Sequence, residues 1–155
     1  MAIKVGDKAP NFSLPSSEKE MVALNSLEGK NVIVLFFPLA FTGTCTTELC
    51  SMRDDISYYS NLDAEILAIS VDSPFALEKY KAEQNLNFPL LSDFNKKAST
   101  AYGALYDTFA FGMQGVSKRS AFVVDKTGTI QYAEVLDNAS ELPNFKAIKE
   151  TLAGL

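Results

Sequence analysis

Six apolar side chains in succession, Val32-Ile33-Val34-Leu35-Phe36-Phe37, follow the turn Glu28-Gly29-Lys30 and stop at Pro38. Successive side chains of a β-strand point to opposite faces, so a run with no polar alternation needs apolar cover on both sides. That requirement points to a strand in the middle of a sheet with layers packed above and below it. Glu65–Val71 has the same character and runs into Asp72-Ser73-Pro74, a helix start with proline at or near the first helical position. Ala121–Val124, the turn Asp125-Lys126-Thr127-Gly128 and Thr129–Val135 together form a hairpin pattern. Helices are predicted at roughly Cys45–Tyr59, Pro74–Gln84, Asn95–Tyr102 and Pro143–Leu152. The order becomes strand, helix, strand, helix, strand, helix, hairpin, helix. Strands joined through helices need right-handed crossovers and parallel pairing, while the hairpin adds antiparallel neighbours. The expected fold is therefore α/β, one domain over residues 1–155, with a mixed central sheet between layers of helices.

Ligands of such sheets bind beyond the carboxyl ends of the central strands, which directs attention to the segment after Phe37. Composition narrows the chemistry available there. Histidine is absent from the 155 residues, which removes the commonest general base and the commonest metal ligand. The two cysteines are too few for a four-ligand structural zinc site or a disulfide framework. No metal and no organic cofactor are expected. The 14 Lys and Arg against 19 Asp and Glu give a formal charge of -5 with no basic cluster, so nucleic acid is not an expected partner. No apolar run approaches membrane-spanning length, and Met1–Pro10 lacks the basic and apolar regions of a secretory signal, so a cytoplasmic protein without membrane contact is expected.

The segment itself reads Pro38-Leu39-Ala40-Phe41-Thr42-Gly43-Thr44-Cys45-Thr46-Thr47-Glu48-Leu49-Cys50. Pro38 ends the strand, and the small and hydroxylated residues Thr42–Thr44 suit a loop that opens a helix. Cys45 then falls in the first helical turn, where free amides and the positive end of the helix dipole favour a thiolate. On a regular helix the α-carbons of Cys45 and Cys50 stand roughly 8 to 9 Å apart. A disulfide tolerates about 7 Å, so the bond and the intact helix exclude one another. Such a pair is a poor staple and a plausible redox couple moving between two conformations. Cys50 also suits a core position on an amphipathic helix, and Cys45 a buried structural thiol.

These residues resemble the peroxiredoxins, thiol peroxidases with a thioredoxin-like fold. The family pattern Pro, three residues, Thr or Ser, two residues, Cys is matched by Pro38, Thr42 and Cys45, and Glu48 agrees with a Glu three residues after the Cys. The family's distant Arg before a late strand is matched by Arg119 in Ser117-Lys118-Arg119-Ser120-Ala121-Phe122. Agreement continues at Gly6-Asp7-Lys8-Ala9-Pro10, Ser70-Val71-Asp72-Ser73-Pro74 and Phe88-Pro89-Leu90-Leu91-Ser92-Asp93, so the likeness covers nearly the whole chain. The wording Phe36–Gly43 is similar to the alkyl hydroperoxide reductase E branch, and a second Cys five residues on is similar to the bacterioferritin comigratory, or Q, branch. The resemblance implies a peroxide substrate, Cys45 as the attacking thiolate and Cys50 as the thiol that resolves its sulfenic acid. It implies Thr42 and Arg119 as donors to the transition state and Pro38 as a wall that shapes the pocket. An external dithiol such as thioredoxin or a glutaredoxin-like carrier would regenerate the enzyme, acting on a monomer or a homodimer.

Two other functions compete. A thioredoxin-like disulfide reductase expects two residues between its cysteines, and four intervene here. A redox-switched binding or chaperone module would use the same disulfide but has no need of Arg119. Aromatic residues at Tyr58, Tyr59, Tyr102, Tyr106, Phe109 and Phe111, with Met113, suit core packing, an interface or the mouth of the pocket. The irregular stretch Leu105–Lys118 is longer than an ordinary connection and is expected to be a functional loop beside the site.

Overall fold

In a computed structural model that describes residues 3–155, the chain runs β1 (Ser13–Pro15), β2 (Met21–Ala23), β3 (Asn31–Phe36), α1 (Gly43–Asp54), α2 (Ile56–Asn61), β4 (Ala64–Ser70), α3 (Pro74–Gln84), β5 (Leu90–Ser92), α4 (Lys97–Ala101), β6 (Ser120–Val124), β7 (Ile130–Val135) and α5 (Phe145–Ala153). Met1 and Ala2, the first residues of the expected domain, lie outside the described residues. The main sheet has the order β5-β4-β3-β6-β7, with β3, β4 and β5 parallel and β6 and β7 antiparallel to their neighbours. Every residue of β3 is buried, as its unbroken apolar run requires.

The strand's side chains divide by parity between two cores. Ile33, Leu35 and Phe37 pack with Leu49 and Met52 of α1, Leu77 and Tyr80 of α3, and Ile148 and Leu152 of α5. Val32, Val34 and Phe36 point the other way, toward Phe12, Leu14, Ala98, Tyr102 and Ile130. The mixed sheet between two apolar layers is the architecture expected from the sequence pattern.

Three local features differ. The hairpin of β1 and β2 is too short for periodicity to reveal, and its first strand ends in Pro15. The first long helix begins at Gly43 and ends at Asp54, so the predicted Cys45–Tyr59 helix is two helices broken at Asp55. Asp54 and Asp55 place negative charge where the helix dipole is already negative, and Asp55 turns outward to Lys149 at 2.7 Å. Of the aromatics, Tyr59 and Tyr102 are fully buried, whereas Phe111 is fully exposed.

Candidate active site

Sheet register assembles the site. Phe36 of β3 pairs with Ser120 of β6, so Arg119, one residue earlier, emerges beside the Phe37-Pro38 exit. Ser120 also pairs with Val135, which brings the segment after β7 over the same spot, and Leu136 donates its amide to the Arg119 carbonyl at 2.9 Å. On the other side Phe36 pairs with Ile69, so the end of β4 leads Asp72 under the loop that follows Pro38. Asp72 Oδ2 accepts the Ala40 amide at 2.8 Å and the Ser70 hydroxyl at 2.7 Å, pinning that loop. Phe41 takes a left-handed conformation with φ of 63° and lays its ring 4.9 Å from that of Tyr80, and the chain then turns into α1.

Cys45 is the third residue of α1, so the amides of Gly43, Thr44 and Cys45 belong to the first turn and have no helical acceptor. The thiol is 1% exposed. Arg119 Nη2 donates to Cys45 Sγ at 3.3 Å, and Nη1 donates to Glu48 Oε1 at 2.6 Å. The guanidinium is held from behind by the Ala139 carbonyl, which accepts from Nε at 3.1 Å and from Nη2 at 2.8 Å. Three of the sequence-predicted residues, Cys45, Glu48 and Arg119, thus meet in one buried cluster. Cysteine sulfur and carboxylate share a single cation, an arrangement a lysine's point charge could not reproduce.

The charges respond to that burial. Burial pushes the Glu48 carboxyl up to about 7, against the downward pull of Arg119. Burial disfavours the Arg119 cation, but Glu48 and Cys45 outweigh it and raise its pKa. Glu48 Oε2 has no hydrogen-bond partner among the described residues.

The remaining predicted residues lie around this cluster. Pro38 and Thr42 line a shallow pocket over Cys45 together with Leu39, Phe109, Ala139 and Ser140. Thr42 directly precedes α1, yet its side chain does not cap the helix, and its hydroxyl donates to the Leu39 carbonyl at 2.8 Å. Cys50 stands apart on α1, part-buried, with its sulfur 3.7 Å from Gln84 Oε1. Both cysteines are free thiols. Among the described residues no group of His, Cys, Asp and Glu gathers as a metal site.

Two contributors escape sequence reasoning. Ala139 acts through its backbone carbonyl, which any residue possesses. Asp72 carried a weak signal, a carboxylate two residues beyond the last strand position, where a side chain can turn back onto a neighbouring loop.

Comparison with known proteins agrees along the chain. Residues 5–133 match the model of the AhpC/TSA family. A putative peroxiredoxin bcp of Coxiella burnetii is 42% identical over 132 residues, covering 84% of this chain and 87% of that protein. Alkyl hydroperoxide reductase E of Mycobacterium tuberculosis is 40% identical over 156 residues, covering 99% of this chain and 98% of that one. Among solved structures, peroxidoxin BcpB from Mycobacterium tuberculosis superposes with a TM-score of 0.87 at 25% identity, covering 99% of this chain and 98% of that chain. A peroxiredoxin-like protein from Aquifex aeolicus, at 22% identity over 99% of this chain and 88% of that chain, shares the fold with a TM-score of 0.89. Sequence and structure neighbours agree with the architecture built above, and the chain belongs to the AhpC/TSA family, the peroxiredoxins of thioredoxin-like fold.

Proposed function

We propose that this thiol-dependent peroxidase works through Cys45 as the attacking thiolate and Cys50 as the resolving thiol. Cys45 attacks the terminal oxygen of a hydroperoxide. A sulfur–oxygen bond forms, the oxygen–oxygen bond breaks, and the departing oxygen takes a proton to leave as water or an alcohol. Negative charge spreads from sulfur over both peroxide oxygens in the transition state, and fixed donors around that charge lower the barrier. The observation that carries this assignment is Arg119 Nη2 at 3.3 Å from Cys45 Sγ in a buried pocket at a helix start. Amides of the first turn, and the Thr42 hydroxyl after release from Leu39, supply further donors, while Pro38 keeps water from the thiolate. An anionic sulfur needs no base, which accommodates the absence of histidine.

The Cys45 sulfenic acid condenses with the Cys50 thiol, forming the disulfide and releasing water. Helical geometry holds the two α-carbons too far apart for that bond, so the turns between Gly43 and Cys50 must open in every cycle. A dithiol protein of thioredoxin or glutaredoxin type then reduces the disulfide. Substrates include hydrogen peroxide and organic hydroperoxides, because the pocket is shallow and lined by both apolar and polar groups. A redox-switched binding or chaperone module leaves Arg119 without a role.

Replacing Cys50 by Ser and supplying one equivalent of hydrogen peroxide tests the assignment. Peroxide is expected to be consumed once, with a sulfenic acid that persists at residue 45 and is trapped for mass spectrometry. Loss of that first consumption in Cys50→Ser would reverse the two roles.

A further inference from the structure

One face of α3 grips α1 at two heights. Tyr80 and Gln84 stand four residues apart, so their side chains lie one above the other. The Tyr80 hydroxyl sits 2.8 Å from Oγ1 of Thr46, the fourth residue of α1. Gln84 meets the helix lower down, where its backbone carbonyl accepts from Nη1 of Arg53 at 2.6 Å. Asn87 Nδ2 donates to the Arg53 carbonyl at 3.3 Å and strengthens that lower grip. The lower contact fastens α1 beyond Cys50, while the upper one fastens the stretch between the two thiols.

Tyr80 is fixed where it stands. Its side chain is 0% exposed, with the rings of Phe37 and Phe41 at 6.3 Å and 4.9 Å. Burial pushes its hydroxyl up to about 12, so it stays protonated while the thiols react. Other ties on this stretch join Arg119 to Cys45 and Glu48, and the one to Cys45 ends on the reacting sulfur itself. The bond between Tyr80 and Thr46 contains no reacting atom, so oxidation of the Cys45 sulfur does not by itself remove it.

We propose that Tyr80 is a positioning residue of the thiol cycle: its bond to Thr46 latches the first turns of α1 shut around Cys45, and release of that latch governs how fast the sulfenic acid reaches Cys50. The inference rests on the disulfide chemistry proposed above, in which the Cys45 sulfur–oxygen bond breaks, the sulfur–sulfur bond forms and the Cys50 proton leaves with the hydroxyl as water. Opening carries Thr46 away while the packed ring remains, so the hydroxyl loses its hydrogen-bond partner in apolar surroundings, and that loss opposes opening. A phenylalanine would keep the packing and remove the bond.

Tyr80→Phe, Thr46→Val and the double variant provide the test, since each retains side-chain volume and Val retains the β-branch. After one equivalent of hydrogen peroxide and quenching by alkylation, disulfide formation is followed by mass spectrometry. Each single variant is expected to form the disulfide roughly fivefold faster, and the double variant no faster than the quicker single one, because both changes remove one bond. Amide exchange of residues 46–50 in the reduced protein is expected to rise by a similar factor, with residues 51–54 unmoved. Disulfide and exchange rates within twofold of the parent, or a double variant showing the product of two independent effects, would overturn the latch. If the parent forms no Cys45 to Cys50 disulfide while exchange still rises, the resolving role of Cys50 falls and the latch stands. If the parent forms it and neither rate moves in the variants, the latch falls alone.

Discussion

Cys45 is 1% exposed beside a guanidinium, whereas Cys50, five residues along the same helix, is part-buried beside the neutral amide of Gln84. The backbone of α1 supplies both positions with helical geometry, so the contrast comes from what each turn faces. The first turn meets the pole of the sheet where Arg119 leaves the sequence just before β6, and the later turn meets the end of α3. A helix start offers a modest electrostatic bias to any thiol placed there. Buried charge and a fixed donor turn one of two equivalent side chains into a candidate nucleophile.

Removing the cation is the strongest way to break this contrast. Arg119→Met is expected to slow oxidation of Cys45 by stoichiometric peroxide by roughly 10²- to 10³-fold, the usual consequence of losing a preorganised donor to developing charge. Arg119→Lys should recover only part of that loss, because one ammonium cannot meet Cys45, Glu48 and the Ala139 carbonyl together. Alkylation of Cys50 by iodoacetamide is expected to stay within about twofold of the parent in both variants, since charge at the other turn is screened by distance and solvent. Equal slowing at both sulfurs would assign the contrast to the fold as a whole rather than to the guanidinium.

How far the sequence discloses this arrangement depends on whether a feature is local. The unbroken run to Phe37 was sufficient to place a central strand, because burial on both faces leaves a mark in every residue of it. Cys45 near a helix start followed from Pro38 and the hydroxylated loop. Arg119 is separated from Cys45 by 74 residues, and nothing local to it announces the contact; only family resemblance singled it out, and sheet register explains the meeting. The hairpin of β1 and β2, the break at Asp55 and the Ala139 carbonyl were illegible because each depends on a tertiary partner or on a backbone atom without side-chain identity.

Glu48 sharpens the comparison by pH. Its carboxyl is pushed up to about 7 in the fold from an ordinary value of 4.5, with burial as the leading cause. Between those values the folded chain retains a proton that the unfolded chain has lost. The group's contribution to stability is therefore complete below about pH 4.5 and lost as pH rises through about 7. Urea unfolding of the reduced protein is expected to show a decline from pH 5 to 8, on the order of 1–3 kcal/mol, that is reduced in Glu48→Gln. A variant that reproduces the parent's full decline would show that the buried carboxyl is not its source. Cys50→Ser should leave the decline in place, because the Cys50 sulfur faces Gln84 and makes no hydrogen bond to Glu48 or Arg119 among the described residues.

The smallest effect lies at the far end of α1. Arg53 Nη1 donates to the Gln84 carbonyl at 2.6 Å, at the C-terminal end of α3, where cation and helix dipole attract. Arg53→Met removes this bond while keeping much of the apolar stem. The expected loss is about 1 kcal/mol of global stability, as for one hydrogen bond at a partly solvated site. The informative measurement is where the helix loosens: amide exchange should rise at residues 51–54, below Cys50, with little change at the amides above it. Were exchange to rise evenly from Gly43 to Asp54, α1 would open as one unit, and the two thiols would share one mechanical environment despite their different electrostatic ones. Restriction to the last turn would mean that the first turns open against a fixed stump, keeping Cys50 in place as the loosened chain brings Cys45 to it.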